Sequence, residues 1–349
     1  MIGMHIDRFL ASVLAVCGCL QIVHAQTPER LFYYIDDSYE TLVEQIGQID
    51  VIAPVVYNVD EDGVVWGSPD PRVLELARAH DVGVMPLIHN PGFDQEMLTE
   101  MLADDEARAR AVESMLDECR RYGYMGIQFD FENININDKD AFTSFYQETA
   151  HALRPAGFML SIAVVHRPEK YPGPTKYFKW LFKNWRAAYD LPALAEAGDF
   201  ISVMTYSQHT RRTPPGPNAG IPWVEQNIEY FLQSVPPEKL SLGIPVTTQH
   251  WSTLHDNEQY VANARSWSQT LKHPQVMNLL DRYNAEPIWL EDQGVSYAFF
   301  ENGGLFEWVF IEDAASFRRK LELVKERSLR GFSVWVLGFE DPAIWDSIR

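Results

Sequence analysis

Two acids stand two residues apart in the segment MGIQFDFE at 125–132: Asp130 and Glu132. Apolar and polar residues alternate around them, as in a strand with one apolar face. Ile127, Phe129 and Phe131 share that face, while Gly126, Gln128, Asp130 and Glu132 share the other. Two steps of strand rise would separate the carboxyls by roughly 6.5–7 Å. Carboxyls that close, in a site of low dielectric, cannot both ionise easily, so one pKa rises. A carboxyl that keeps its proton near neutral pH is what general acid catalysis needs. The competing reading is structural, with each acid paired to a buried Lys or Arg. No basic residue lies inside the cores of the other strand candidates, which counts against it.

Those acids need a frame. Apolar runs at 30–35 (RLFYYI), 51–57 (VIAPVVY), 82–88 (VGVMPLI), 126–131 (GIQFDF), 158–164 (FMLSIAV), 200–206 (FISVMTY), 240–246 (LSLGIPV) and 331–337 (GFSVWVL) read as strands. Amphipathic stretches lie between most of them. In DKDAFTSFYQETAHALRPAGF, Phe142, Phe145, Ala152 and Leu153 fall on one helical face, Thr149 interrupts it, and Gly157 follows the end. Strands alternating with helices indicate a parallel sheet. Eight units in one chain of this length indicate an α/β fold of the (β/α)8 TIM-barrel type, with active-site residues at the C-terminal mouth. A doubly wound open sheet competes, but no Gly-rich phosphate loop follows the first strand. The gap from about 252 to 312 is too long for one helix. Two β-rich runs flank ENGG there, which predicts a β-hairpin insertion between strands seven and eight.

GIQFDFE resembles the strand-four signature of glycoside hydrolase family 18, D-G-x-D-x-D-x-E. It is most similar to the bacterial branch of spore-cortex-lytic and related peptidoglycan N-acetylglucosaminidases. RPAGFMLSIAV, MTYSQH, PWVEQNIEYFL, VPPEKLSLGIPV and GFSVWVLGFEDPAIW also fit, so the resemblance spans about 30 to 345. It implies a retaining, substrate-assisted glycosidase acting on β-1,4 bonds of N-acetylglucosamine-containing glycans, peptidoglycan first and chitin oligosaccharides second. Glu132 would protonate the leaving oxygen, Asp130 would hold the substrate's acetamido N–H, and Tyr206 would hydrogen-bond the acetamido group. Trp335 would be the floor for the sugar ring. Gln208 and His209 lie near the mouth and are candidate substrate contacts. Tyr57, Trp223 and Trp251, at loop or strand ends, are candidates for outer subsites.

Three positions depart from the family pattern. Met125 replaces its outermost aspartate. Gln128, counted with the substrate-binding set, replaces the middle one and can hydrogen-bond Asp130 but not share its charge. Ser207 follows Tyr206 where aspartate is common. A catalytically inactive sugar-binding barrel is the alternative function, and retention of both acids counts against it. A metal-dependent hydrolase would draw on His89, His166, His209 or His250, yet the first strand lacks a paired H-x-H. No metal or cofactor is expected. Asp36 and Asp37 are expected to cap a helix.

The N-terminal segment MIGMHIDRFLASVLAVCGCLQIVHAQ carries Arg8, an apolar run from Phe9 to Val23, and a small-x-small site ending at Ala25. It reads as a signal peptide, residues 1–25, with the catalytic barrel at 26–349. The run is shorter than the ~20 residues of a membrane span, which favours cleavage over anchoring. Val16 and Cys17 are poor residues ahead of a lipidated cysteine. The expected location is therefore secreted or periplasmic, with no membrane association after cleavage. Cys119 would remain alone, so the mature chain could form no internal disulfide. With 29 Lys+Arg against 49 Asp+Glu, the net charge of −20 argues against nucleic acid as a partner.

Overall fold

A computed structural model describes residues 27–254 and 266–348. The N-terminal 26 residues, with the expected signal and with Cys17 and Cys19, lie outside it.

Eight parallel strands close into a barrel: Glu29–Tyr34, Val51–Val59, Leu87–His89, Gly126–Phe129, Met159–Val165, Phe200–Met204, Leu240–Pro245 and Gly331–Trp335. The first strand pairs with both the second and the eighth, which closes the ring. The third is interrupted, since Pro86 follows the short stretch Gly83–Val84 and offers no N–H to the ladder. Leu31, Tyr33, Val51, Ala53, Met85, Leu87 and Phe200 fill the interior. The opposite faces pack beneath the helices in a continuous outer core.

The fourth strand follows this division. Phe129 is fully buried on the outer side, with ring centroids 5.0 Å from Phe131, 5.2 Å from Phe145 and 5.3 Å from Tyr146. Such aromatic pairs add about 0.5–1.5 kcal/mol each beyond the area they bury. Phe142, Phe145 and Leu153 come from the helix Lys139–Leu153, as expected. Thr149 is buried there too, and its hydroxyl is satisfied by the Phe145 carbonyl at 2.8 Å. The chain then turns at Gly157, whose φ of 85° suits glycine. The helix Asp105–Tyr122 leads into the fourth strand, with Asp104 capping its start and Gly123 ending it in the left-handed region. It buries Cys119.

The segment between strands seven and eight is larger than a hairpin. Thr248–Thr253, Ser266–Leu271, Ile288–Leu290, Val295–Asn302 and Leu305–Ile311 form an antiparallel sheet with the helix His273–Tyr283 packed on it. The expected turn at Gly303 and Gly304 joins two of these strands. Asp37 does not cap a helix; its carboxylate takes Lys272 at 3.0 Å and so ties the first barrel loop to the insertion.

Candidate active site

The fourth strand stops at Phe129, earlier than its alternation suggests. The Asp130 amide still donates to the Ile88 carbonyl, and there the backbone ladder ends. Beyond it the side chain of buried Asn90 takes over. Its Oδ1 accepts from the Glu132 amide at 3.1 Å, and its Nδ2 donates to the Glu132 carbonyl at 3.0 Å. Tyr189 donates to the Phe131 carbonyl at 2.8 Å. Asn133, at φ 55°, donates to the Phe93 carbonyl, and Gln95 donates to the Asn133 carbonyl. Glu132 therefore rides on a loop whose backbone is gripped from both sides by side chains of neighbouring loops.

Both acids are half-buried, and no donor reaches either side chain among the described residues. Asp130 Oδ1 is a buried acceptor without a partner. Burial, with Glu132 as a second cause, raises the Asp130 pKa well above the usual carboxyl range. Burial pushes Glu132 up to about 7. One proton held near neutral pH is thus available at the mouth.

Beneath them, Gln128 is fully buried. Its Nε2 donates to Ser161 Oγ at 2.9 Å and is 3.4 Å from Ser202 Oγ, leaving Oε1 without a donor. Gln128 therefore bonds to the fifth and sixth strands and not to Asp130, as its residue type had allowed, and at full burial it is not a substrate contact.

Tyr206 follows the sixth strand. Burial, with Tyr33 and the two acids nearby, drives its phenol far above the usual value, so it remains a hydroxyl donor. Its ring lies parallel to Trp335, with centroids 6.3 Å apart and 23° between planes. Trp335 is half-buried at the end of the eighth strand, and its peptide bond to Val336 is cis. Glu132 and Tyr206 line one cleft of about 440 Å³, together with Ser207 and Gln208. Gln208 also holds its own loop, accepting from the Gly220 amide at 2.7 Å.

Other candidates lie elsewhere. Tyr57 is buried outside the barrel, where its hydroxyl donates to Glu118 at 2.7 Å and meets Tyr124 at 2.9 Å. A bulge between Val55 and Tyr57 is the cause, because it turns the side chain from the inner to the outer face. Trp251 is fully buried in the insertion against Val295, Trp308 and Phe310. Neither can meet a glycan at the surface. His209 does not line the cleft; its Nδ1 lies 3.0 Å from the Pro214 carbonyl, and its ring closes over Gly216. Trp223 packs edge-on to His166 and lines a neighbouring cavity of about 280 Å³.

The wall opposite Tyr206 escaped the sequence reading. Tyr177, Trp180, Trp185 and Arg186 line the main cleft from the extension after strand five. Tyr177 and Trp180 stack at 6.2 Å, and Trp180 is 44% exposed, open to a ring that slides over it. The density of aromatic and basic residues in YFKWLFKNWR (177–186) was the available signal. His166 accepts from Arg186 at 2.6 Å. Burial first, then the adjacent Arg186 charge, drives the His166 pKa far down, so the imidazole is neutral. His250 instead meets Glu307 in the insertion.

Residues 36–340 match the family model described as Glycosyl hydrolases family 18. The uncharacterized glycosylase YvbX of Bacillus subtilis is 22% identical over 318 residues, covering 89% of this chain and 87% of the relative. The cortical fragment-lytic enzyme of the same organism is 27% identical over 297 residues, covering 83% of this chain. This chain spans 64% of that enzyme's length, just under two thirds. The chitinase of Chromobacterium violaceum superposes with a TM-score of 0.80 at 24% identity, covering 92% of this chain and 98% of the other. The Bacillus cereus spore cortex-lytic enzyme SleL gives 0.81 at 20% identity, covering 92% and 73%.

Proposed function

The chain belongs to glycosyl hydrolase family 18, and on that premise we propose that it is a secreted glycosidase cleaving β-1,4 bonds beside N-acetylglucosamine, with peptidoglycan strands as first substrate class. The observation that carries this reading is the pair Asp130 and Glu132, half-buried at the barrel mouth, without a cation partner, beside the Tyr206 hydroxyl. The cortical fragment-lytic relative supports peptidoglycan over chitin. Neither nucleic acid nor a metal ion enters the scheme.

The reaction runs in two steps. Protonated Glu132 gives its proton to the glycosidic oxygen as the bond from that oxygen to the anomeric carbon breaks. The carbonyl oxygen of the substrate's own acetamido group bonds to the anomeric carbon, giving an oxazolinium ion. Asp130 accepts from the acetamido N–H and stabilises the positive charge, while the Tyr206 hydroxyl donates to the acetamido oxygen. Glu132, now a carboxylate, takes a proton from water as that water attacks the anomeric carbon and opens the ring. The configuration is retained. Trp335 forms the floor under the sugar, and Gln208 borders it.

The mature protein, incubated with N-acetylglucosamine oligomers and with purified peptidoglycan, is expected to release new N-acetylglucosamine reducing ends detectable by mass spectrometry. Binding of either glycan without any release would replace the enzyme with a catalytically inactive sugar-binding barrel. Recovery of the chain from the cell envelope or medium, starting at Gln26, is the expected outcome for its location. Recovery from the cytosol with residues 1–25 attached would refute secretion.

A further inference from the structure

The main cleft is cationic in a strongly acidic protein. Arg186 lines it from the extension after strand five, Arg211 and Arg212 line it from the loop after strand six, and Glu132 lines the same cleft. Several arginines elsewhere find carboxylates: Arg30 takes Asp50, Arg72 takes Asp70, Arg108 takes Glu148 and Arg330 takes Glu29. Others, such as Arg154 and Arg167, meet backbone carbonyls instead. Among the described residues, no carboxylate lies within ion-pair distance of Arg186, Arg211 or Arg212; Glu169 acts on Arg186 only from farther off.

Arg186 is the most constrained of the three. One of its terminal nitrogens meets neutral His166, and its Nε is buried with no acceptor. Burial brings its pKa down to about 10, so it stays charged at neutral pH. A desolvated cation whose one side-chain partner is neutral is costly unless an anion completes it. A guanidinium matches a carboxylate through two parallel N–H donors. Arg211 and Arg212 are exposed across the same cleft and add field without fixing geometry.

We propose that Arg186, Arg211 and Arg212 form a carboxylate-binding subsite, so that the enzyme selects an N-acetylated glycan bearing a carboxylate on the sugar next to the scissile bond. This rests on the glycosidase reading above. Chitin is a neutral homopolymer and has no group for these arginines. Peptidoglycan carries such a group in either of two places: the free lactyl carboxylate of strands stripped of peptide, or a carboxylate of the stem peptide.

Binding by the mature Glu132→Gln protein tests this without turnover. Three tetrasaccharides serve as probes: all N-acetylglucosamine; alternating with N-acetylmuramic acid carrying free lactyl carboxylates; and the latter carrying stem peptides. Calorimetry at low and moderate salt is expected to show at least tenfold tighter binding of one or both carboxylated probes. Which of the two gains identifies the carboxylate recognised. The advantage is expected to shrink with salt and to fall below about twofold in Arg186→Gln. Should that variant misfold, the exposed pair Arg211→Gln/Arg212→Gln is expected to reduce the advantage severalfold. Equal binding of neutral and carboxylated probes, or an advantage that persists in every folded variant, would overturn the proposal. If wild type also cleaves both kinds equally, the glycosidase reading survives alone; if it binds and cleaves none, both fail.

Discussion

The barrel mouth and the root of the insertion both bury carboxyls, yet they treat them in opposite ways. At the root, Glu312 accepts from Lys320 at 2.7 Å and from Ser316 at 2.9 Å, with both charged side chains almost fully buried. Nearby, Glu307 is met by His250, Ser252 and Asn302. At the mouth, Asp130 and Glu132 receive no donor from the described residues, although their backbone is held on every side. The chain can supply partners to buried acids, and does so where an element must be fastened. Leaving two acids bare while fixing their position keeps their protons and lone pairs free for a substrate.

Removing the mouth's acid should have the largest effect. Glu132→Gln is expected to lower turnover about 10³-fold while leaving glycan affinity within severalfold of wild type, by reducing-end assay and calorimetry. Undiminished turnover would mean the bare acids resemble the paired ones in being structural. Breaking the paired side comes next. Lys320→Met leaves Glu312 buried without its cation, with Ser316 as its remaining side-chain donor, and is expected to cost about 3–5 kcal/mol in denaturant unfolding. Adding Glu312→Gln should recover much of that, with turnover per folded molecule unchanged throughout.

Asp130→Asn tests the contrast through pH. Folding raises the pKa of both mouth acids, so the folded state binds more protons than the unfolded chain. Their contribution to stability is fully present below pH ~4 and is lost as pH rises, through about 7 for Glu132 and through the raised pKa of Asp130. Asp130→Asn is therefore expected to stabilise the protein at pH 7.5 and to do little at pH 4, in parallel urea titrations. A destabilised variant at pH 7.5 would show that Asp130 is held by a partner after all. The smallest effect belongs to Tyr57→Phe. It is expected to cost about 1–2 kcal/mol of stability, since Glu118 and Tyr124 lose a partner, and to leave kcat/KM unchanged. A raised KM would return Tyr57 to the glycan site.

The contrast also explains what the sequence could and could not disclose. Alternation in GIQFDFE fixed which side chains face inward, because Ile127 and Phe129 must reach the helices. It could not show that the ladder stops at Phe129, where the Glu132 amide is taken by a side chain 42 residues away, Asn90. Tyr57 lies inside the second strand and not at its end, since that strand runs to Val59; beyond inward-facing Ala53 and Val55 one bulged residue turns it outward. Trp251 misled because a strand paired on both sides has two faces, and nothing local says which one is covered. Tyr177, Trp180 and Trp185 are spaced as one helical face, on the helix Lys176–Leu181 and the turn after it, but nothing local says that this face borders the cleft.

The grip of Asn90, Gln95 and Tyr189 on the segment from Phe131 to Asn133 has a consequence for how such an enzyme can diverge. In a site hung on backbone ladders, moving the acid means rebuilding a sheet. Here a single amide swap on an adjacent loop, at a position that never meets sugar, can tilt Glu132 by a fraction of an ångström. Selection can therefore retune which linkage is cut by working on loops three and five, leaving the acid pair itself unaltered. Two descendants of this scaffold with identical acids can differ in what they cleave, and the record of that change would be written in asparagines and tyrosines.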